Sequence, residues 1–211
     1  MTGSMKRLAP VLMGAFGLVF ASTQVKATTI TFGGQSVAGE GIVSTVSGST
    51  AIATFGTGSV ATATGATLVQ GSVLNHYKSP VGVTGKYWST GTGTATLTFL
   101  RPLTYFGLYW GSVDPWNTIT FWDGSHSTSY TGSQIAKLAG FTIDGTASEY
   151  VNFFASAGTE WTKIQLSSSQ PSFEFANLAY IDPVAVPEPA SLFSLAAGLG
   201  LLGLGLLRRK R

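Results

Sequence analysis

Tyr105-Phe106-Gly107-Leu108-Tyr109-Trp110-Gly111-Ser112-Val113-Asp114-Pro115-Trp116-Asn117-Thr118-Ile119-Thr120-Phe121-Trp122-Asp123-Gly124 reads as a strand, a turn, a second strand and the start of a hairpin. In an extended chain successive side chains point to opposite faces. From Trp116 to Trp122, one face therefore carries Trp116, Thr118, Thr120 and Trp122, and the other carries Asn117, Ile119 and Phe121. Ile119 and Phe121 make the better core pair, which turns Trp116 and Trp122 outwards or to the rim. Asp123-Gly124 is a hairpin turn signal, because both residues tolerate the positive φ of a two-residue turn.

The same pattern extends in both directions. Short runs of aliphatic, aromatic and β-branched residues, separated by Gly, Thr and Ser, give candidate strands at 29–32, 42–46, 50–55, 60–69, 94–100, 105–110, 118–122, 127–130, 150–154, 162–166 and 173–180. Asp144-Gly145 is a second hairpin signal. Helical periodicity is confined to one turn at 133–138, where Ile135 and Leu138 share a face. The expectation is all-β: a single jelly-roll-like β-sandwich over residues 28–180, followed by a linker at 181–186.

Both ends read as targeting segments. Lys6 and Arg7 precede an apolar run from Leu8 to Phe20, and Val25-Lys26-Ala27 places small residues where a signal peptidase reads them, so residues 1–27 form a signal peptide cut after Ala27. A signal anchor is the alternative, and translation can start at Met5 as well as Met1. At the other end Pro187-Glu188-Pro189 bars a helix from running backwards. Ala190 to Leu207 is an uncharged stretch of eighteen residues, which as a helix reaches roughly 27 Å, close to the hydrocarbon thickness. Arg208-Arg209-Lys210-Arg211 would hold the far end in the cytoplasm.

This order of Pro-Glu-Pro, apolar span (190–207) and basic cluster (208–211) resembles the PEP-CTERM sorting signal of bacterial proteins handled by exosortases, a tail also called the ice-binding protein C-terminal domain. The resemblance places the sorting signal at 187–211, with Pro187, Glu188, Pro189, Arg208, Arg209, Lys210 and Arg211 as its motif. It implies export through the Sec and signal-peptidase machinery, retention in the inner membrane by the C-terminal helix, and processing near the Pro-Glu-Pro by an exosortase. Delivery is then to the cell surface or extracellular matrix of a Gram-negative-type bacterium. An ordinary C-terminal anchor would give the same topology. The Trp-Gly-Ser-x-Asp turn at 110–114 and the Asn-Thr-aliphatic-x-Phe strand at 117–121 resemble a subgroup of PEP-CTERM passengers, as does the closing strand at 173–180. Those passengers commonly carry Asp where this chain has Ala176. The resemblance carries no common activity.

The net charge of +3 comes from the ends. Seven of the twelve bases lie in the targeting segments, leaving five bases against eight acids between Thr28 and Val186, a net of −3. No Lys or Arg cluster remains there to engage phosphates, so nucleic acid is not an expected partner. The chain has no cysteine, which excludes disulfides, thiol catalysis and thiolate metal sites.

Within the passenger three features bear on function. Tyr109, Trp110, Trp116 and Trp122 are candidate glycan-binding residues, since flat aromatic rings stack on the apolar faces of sugars; core packing is the alternative. Tyr105, Tyr87, Trp88 and Trp161 complete the aromatic set. Thr90, Thr92, Thr94, Thr96 and Thr98 form a ladder at spacing two, with hydroxyls about 6.7 Å apart on one face of a strand. One rank without repeats is no ice-binding plane, and Gly91 and Gly93 make its first half a loop. The acids are scattered: Asp114, Asp123 and Asp144 sit beside Pro or Gly, where carboxylates accept turn N–H groups. The spacing shows no carboxylate pair of the kind a glycosidase needs. His76 and His126 lie far apart, and neither a nucleophile elbow nor a His-Glu-x-x-His motif is present. The expectation is a non-enzymatic surface or matrix protein without cofactor or metal, with exopolysaccharide as its candidate ligand. The alternatives are a jelly-roll glycoside hydrolase or lyase, and a matrix filler or glycan acceptor.

Overall fold

The computed structural model describes residues 28–52 and 60–181. The expected signal peptide with Ala27, the far end of the expected 50–55 strand, the expected linker beyond Ile181 and the sorting tail lie outside the described residues.

The described chain is all-β with one helix. Its strands are β1 (Thr29–Phe32), β2 (Gln35–Val37), β3 (Gly41–Val43), β4 (Thr50–Ala51), β5 (Val60–Thr64), β6 (Thr67–Gln70), β7 (Lys86–Ser89), β8 (Gly93–Leu103), β9 (Tyr105–Gly111), β10 (Asn117–Asp123), β11 (His126–Thr131), β12 (Glu149–Phe154), β13 (Trp161–Ser168) and β14 (Glu174–Ile181). Helix α1 (Gly132–Ala139) lies between β11 and β12. The larger sheet has the order β1-β12-β9-β14-β7-β6, with β4 also paired to β14, and the second has the order β11-β10-β13-β8-β5. β2 and β3 form a separate hairpin. The chain passes from one sheet to the other at β4 to β5, β5 to β6, β7 to β8, β8 to β9, β9 to β10, β11 to β12, β12 to β13 and β13 to β14.

Alternation builds the core between the two sheets. In β8, Ala95, Leu97 and Phe99 are buried while Thr94, Thr96 and Thr98 face outwards. In β10, Asn117, Ile119 and Phe121 are buried and Thr118, Thr120 and Trp122 are not, as the sequence pattern requires. Phe121 of one sheet packs on Phe106 and Phe153 of the other, with ring centroids 6.3 and 4.7 Å apart, and on Trp161 at 4.3 Å. Each such buried ring contributes about 1.5–3 kcal/mol through apolar area removed from water.

Strand β9 is buried along its whole length. Phe106, Leu108 and Trp110 enter the core between the sheets, whereas Tyr109 joins a second cluster with Val83, Tyr87, Tyr150 and Ala176 on the outer face. The β2–β3 hairpin and the segment before β7 cover that face. Tyr109 Oη donates to Val81 O (2.7 Å), Tyr105 Oη donates to Asn152 Oδ1 (2.8 Å), and Tyr150 Oη donates to Asn177 O (3.0 Å). Gly107 is required beneath these hydroxyls, because a Cβ there would lie 2.3 Å from Tyr105 Oη.

Several expectations are corrected. The run 60–69 is two strands, broken at Gly65, whose φ of +78° turns the chain from one sheet to the other. β7 carries no alternation long enough to see in sequence, and its Tyr87 is buried. Asp144-Gly145 makes no hairpin: Asp144 Oδ1 accepts from Thr146 N (2.7 Å), Thr146 Oγ1 (2.6 Å) and Ala147 N (3.2 Å) in a side-chain-closed turn. The helical turn is a full helix, opened by Thr131 and Gln134 in a reciprocal capping box and closed by Gly140 in the left-handed conformation. It buries Ile135 and Ala136 but leaves Leu138 exposed. The Asp123-Gly124 hairpin is present, joining Asp123 to His126 across β10 and β11.

Register fixes where the ends lie. Thr29 pairs with Phe154, Phe154 with Tyr105, and Tyr105 with Ile181. The chain therefore enters and leaves the larger sheet at one end. At the other end, Glu174 pairs with Gly111 and Ser89, about 23 Å away along β14 at strand rise.

Candidate functional site

At the end remote from Thr29 and Ile181, the connection between β9 and β10 meets the segment that precedes β7. Ser112 takes a left-handed conformation (φ +44°) as the chain leaves β9. Buried Asn117 then holds the turn: its N–H donates to Asp114 O (3.1 Å), its Nδ2 donates to Ser112 O (3.2 Å), and its Oδ1 accepts from Ser168 Oγ (2.8 Å). Gly132 at the start of α1 presses on the same turn, where a Cβ would lie 2.0 Å from Asp114 O. The outcome is that Asp114 is held inwards, only 5% exposed, while Trp116 is held outwards at 38%.

The facing wall is the turn from Val73 to Tyr77. Val73 N donates to Tyr77 O (2.9 Å), and Tyr77 N donates to Val73 O (3.1 Å), around Asn75 at φ +62°. Tyr77 meets Tyr87 edge-on at 6.3 Å. The turn is joined to β14 through Lys78, whose N–H donates to Glu174 Oε1 at 2.8 Å.

Glu174 is 1% exposed. The alternation Phe173-Glu174-Phe175 sends its carboxyl to the outer face of the sheet, where the Lys78 segment covers it. Ser172 Oγ donates to Oε1 at 3.0 Å and lies 2.7 Å from Ser89 Oγ, which then serves as its donor. Oε2 is buried and has no hydrogen-bond partner. Burial pushes Glu174 up to about 7, the charge of Asp114 adding to the rise and the Lys78 and Ser172 hydrogen bonds opposing it. Burial likewise pushes Asp114 up to about 6, with Lys78 lowering and Asp144 raising it. Asp144 itself is held below the usual range by the Thr146 hydroxyl and the turn N–H groups.

Between these walls lies a cleft of about 520 Å³, lined among others by Tyr77, Lys78, Asp114, Trp116, Ser172 and Glu174. This volume is within the range of small-molecule sites. A larger hollow of about 790 Å³ follows β14 between β7 and β4 and is lined chiefly by Leu68, Tyr87, Trp88 and the strand backbone from Ala176 to Ala179. The first cleft is the stronger candidate, because two buried carboxyls with raised proton affinity converge in it.

The aromatic set divides. Trp110 is 0% exposed and stacks on Phe173 with centroids 4.3 Å apart and planes at 17°, and Tyr109 is buried under Val81. Neither presents a face to a sugar, because the sheet carries a covering layer on both sides at β9. Trp122 is half-buried on the outer face of the second sheet, with Lys163 Nζ 4.0 Å over its ring and its Nε1 donating to Gln165 Oε1 (2.9 Å). Trp116 is the member that opens onto the cleft. Asp114, read as a turn carboxylate, closes the turn with its backbone carbonyl and leaves its carboxyl to the cleft. Glu174 was legible only as one acid in the closing strand. Its isolation between two phenylalanines was the available signal, but the segment that buries it is ninety-six residues away in sequence. Among the described residues no group of three or more His, Asp or Glu side chains could hold a metal ion.

The PEP-CTERM protein-sorting motif matches residues 185–211, which include the Pro-Glu-Pro, the apolar stretch and the basic cluster. No curated protein matches the chain.

Proposed function

We propose that this exosortase-sorted, exported protein, carrying the PEP-CTERM motif at residues 185–211, is a non-enzymatic surface or matrix component that binds exopolysaccharide in the Trp116 cleft. Its passenger is a jelly-roll-like β-sandwich, a reading supported by a shared core and a chain that alternates between two sheets. The apolar stretch 190–207 holds it in the inner membrane until the exosortase acts, and the surface or matrix is its destination.

The observation that carries the binding reading is the placement of Trp116, 38% exposed at a cleft whose depth holds two carboxyls. An exposed indole supplies a stacking platform, and the carboxyl oxygens supply acceptors for sugar hydroxyls. The cleft also lies at the opposite end of the sheet from Ile181, so a tail at the membrane leaves it facing outwards. The test is co-sedimentation of the full-length chain with the producing organism's exopolysaccharide. Saturable binding that is lost in Trp116→Ala and kept in Trp122→Ala is expected; loss in neither, or absence of binding, contradicts the reading.

A second reading is favoured by the convergence of Asp114 and Glu174: a carbohydrate-active enzyme, with Glu174 as acid and Asp114 as base. Release of reducing ends from the same polymer, abolished in Glu174→Gln, would select it.

A further inference from the structure

We infer that the Asp114–Glu174 cleft is an ammonium site, and that the glycan it takes carries free amino groups, as in a de-N-acetylated amino sugar. The inference rests on the glycan reading above and names the class of sugar.

Glu174 Oε1 has two donors, whereas Oε2 has none although it is buried. An unpaired buried acceptor is costly, and more so when charged. Asp114 from the β9–β10 turn, Lys78 from the segment before β7 and Tyr87 from β7 act on Glu174, and His76 and Tyr77 line the same cleft. Asp114 is faced in turn by Lys78 and by Asp144 of the turn before β12. Among these, Lys78 does not fill the gap: its main-chain N–H engages Oε1, and its Nζ donates to Gly145 O at 3.1 Å on the exposed side.

Two carboxyls thus share a cleft in which each ionises reluctantly. A neutral hydroxyl does little to offset the burial that disfavours both charges, while an ammonium placed between them gives Oε2 a charge-assisted hydrogen bond and favours both ionised forms. The aromatic wall fits the same occupant, since Trp116 and Tyr77 line the cleft and aromatic rings attract a cation as well as a pyranose. A uronate polymer would add negative charge beside Asp114, Asp144 and Glu174 and is disfavoured for the same reason.

The probes are the glucosamine tetramer and its fully N-acetylated counterpart, which share ring and linkage and differ in charge. They are titrated into the full-length chain in mild detergent while binding is followed by calorimetry. The glucosamine tetramer is expected to bind about tenfold or more tighter at pH 7, as one new charge-assisted contact implies. That preference should fall towards pH 5 as Asp114 and Glu174 take up protons, and fall again on the alkaline side as the amine loses its own. Asp114→Asn and Glu174→Gln should each narrow the ratio between the two tetramers. The wild-type pH profile stands even if a variant does not fold. Equal binding, tighter binding of the acetylated tetramer, or a ratio that ignores pH overturns the ammonium assignment while leaving the glycan reading intact. Failure of both tetramers to bind overturns the assignment, and the glycan reading falls with it only if the organism's own polymer also fails to bind.

Discussion

Replacing Glu174 with Gln should remove a pH dependence that this single buried carboxyl imposes on folding. Glu174 is raised from an ordinary 4.5 to about 7 in the fold, so the native state holds a proton that the unfolded chain releases. The sign follows directly. Below pH 4.5 both states are protonated and there is no penalty; as pH rises towards 7 the unfolded state gains by ionising; above 7 the native state carries an unwelcome charge. Each pH unit by which the carboxyl is raised is worth about 1.36 kcal/mol, so the native state loses about 3 kcal/mol between pH 4 and pH 8. For a domain of this size that is a fall in Tm of roughly 6–12 °C. Gln keeps an acceptor for Lys78 N–H and Ser172 Oγ but cannot ionise. Asp114 and Glu149 are raised as well and Asp144 is lowered, so the informative quantity is the wild-type minus variant difference, from urea unfolding at the two pH values. A difference that changes by about 3 kcal/mol supports the assignment. One that stays constant across this range would refute the reasoning, because Glu174 would then be ionised normally in the fold.

Other substitutions separate core from site. Trp110→Ala should cost about 3–5 kcal/mol in unfolding free energy, as for large buried aromatics, whereas Trp116→Ala should cost less than about 1 kcal/mol, because its ring is partly in water. Trp110→Phe should cost less than Trp110→Ala, since it keeps a ring against Phe173 while removing an indole N–H that is buried without a partner. Gly65→Ala combines a φ of +78° with a Cβ placed 2.0 Å from Thr94 O, and should lower stability by at least about 2 kcal/mol in chemical denaturation. Thr131→Ala removes one side of the α1 capping box and should cost about 1 kcal/mol, read as a loss of Tm.

The strands were legible where one face is core and the other is water. In β8 and β10 the period of two is enough to place Leu97, Ile119 and Phe121 inside. It failed where a second layer covers the outer face. Tyr109 alternates with Leu108 and Trp110 and so reads as outward, yet the β2–β3 hairpin and the segment around Val81 bury it. The same cause hid the site. Glu174 looks like a solvated strand residue until Lys78 closes over it, and Asp114 looks like a turn residue until Asn117 and Gly132 fix which of its groups faces the cleft. Local pattern sets the direction of a side chain; what it meets there depends on contacts distant in sequence. The outward direction of Trp116, by contrast, was readable from placing Ile119 and Phe121 in the core, although the turn before β10 is what holds the ring there.

The most direct measurement is hydroxyl-radical footprinting of the full-length chain with and without bound exopolysaccharide, quantified at each tryptophan. Binding in the cleft predicts that Trp116 and Tyr77 become protected while Trp122, on the outer face of the second sheet, reacts as before. Protection of Trp122 with Trp116 unchanged would contradict the account, moving the glycan to the sheet face and leaving the cleft without a ligand.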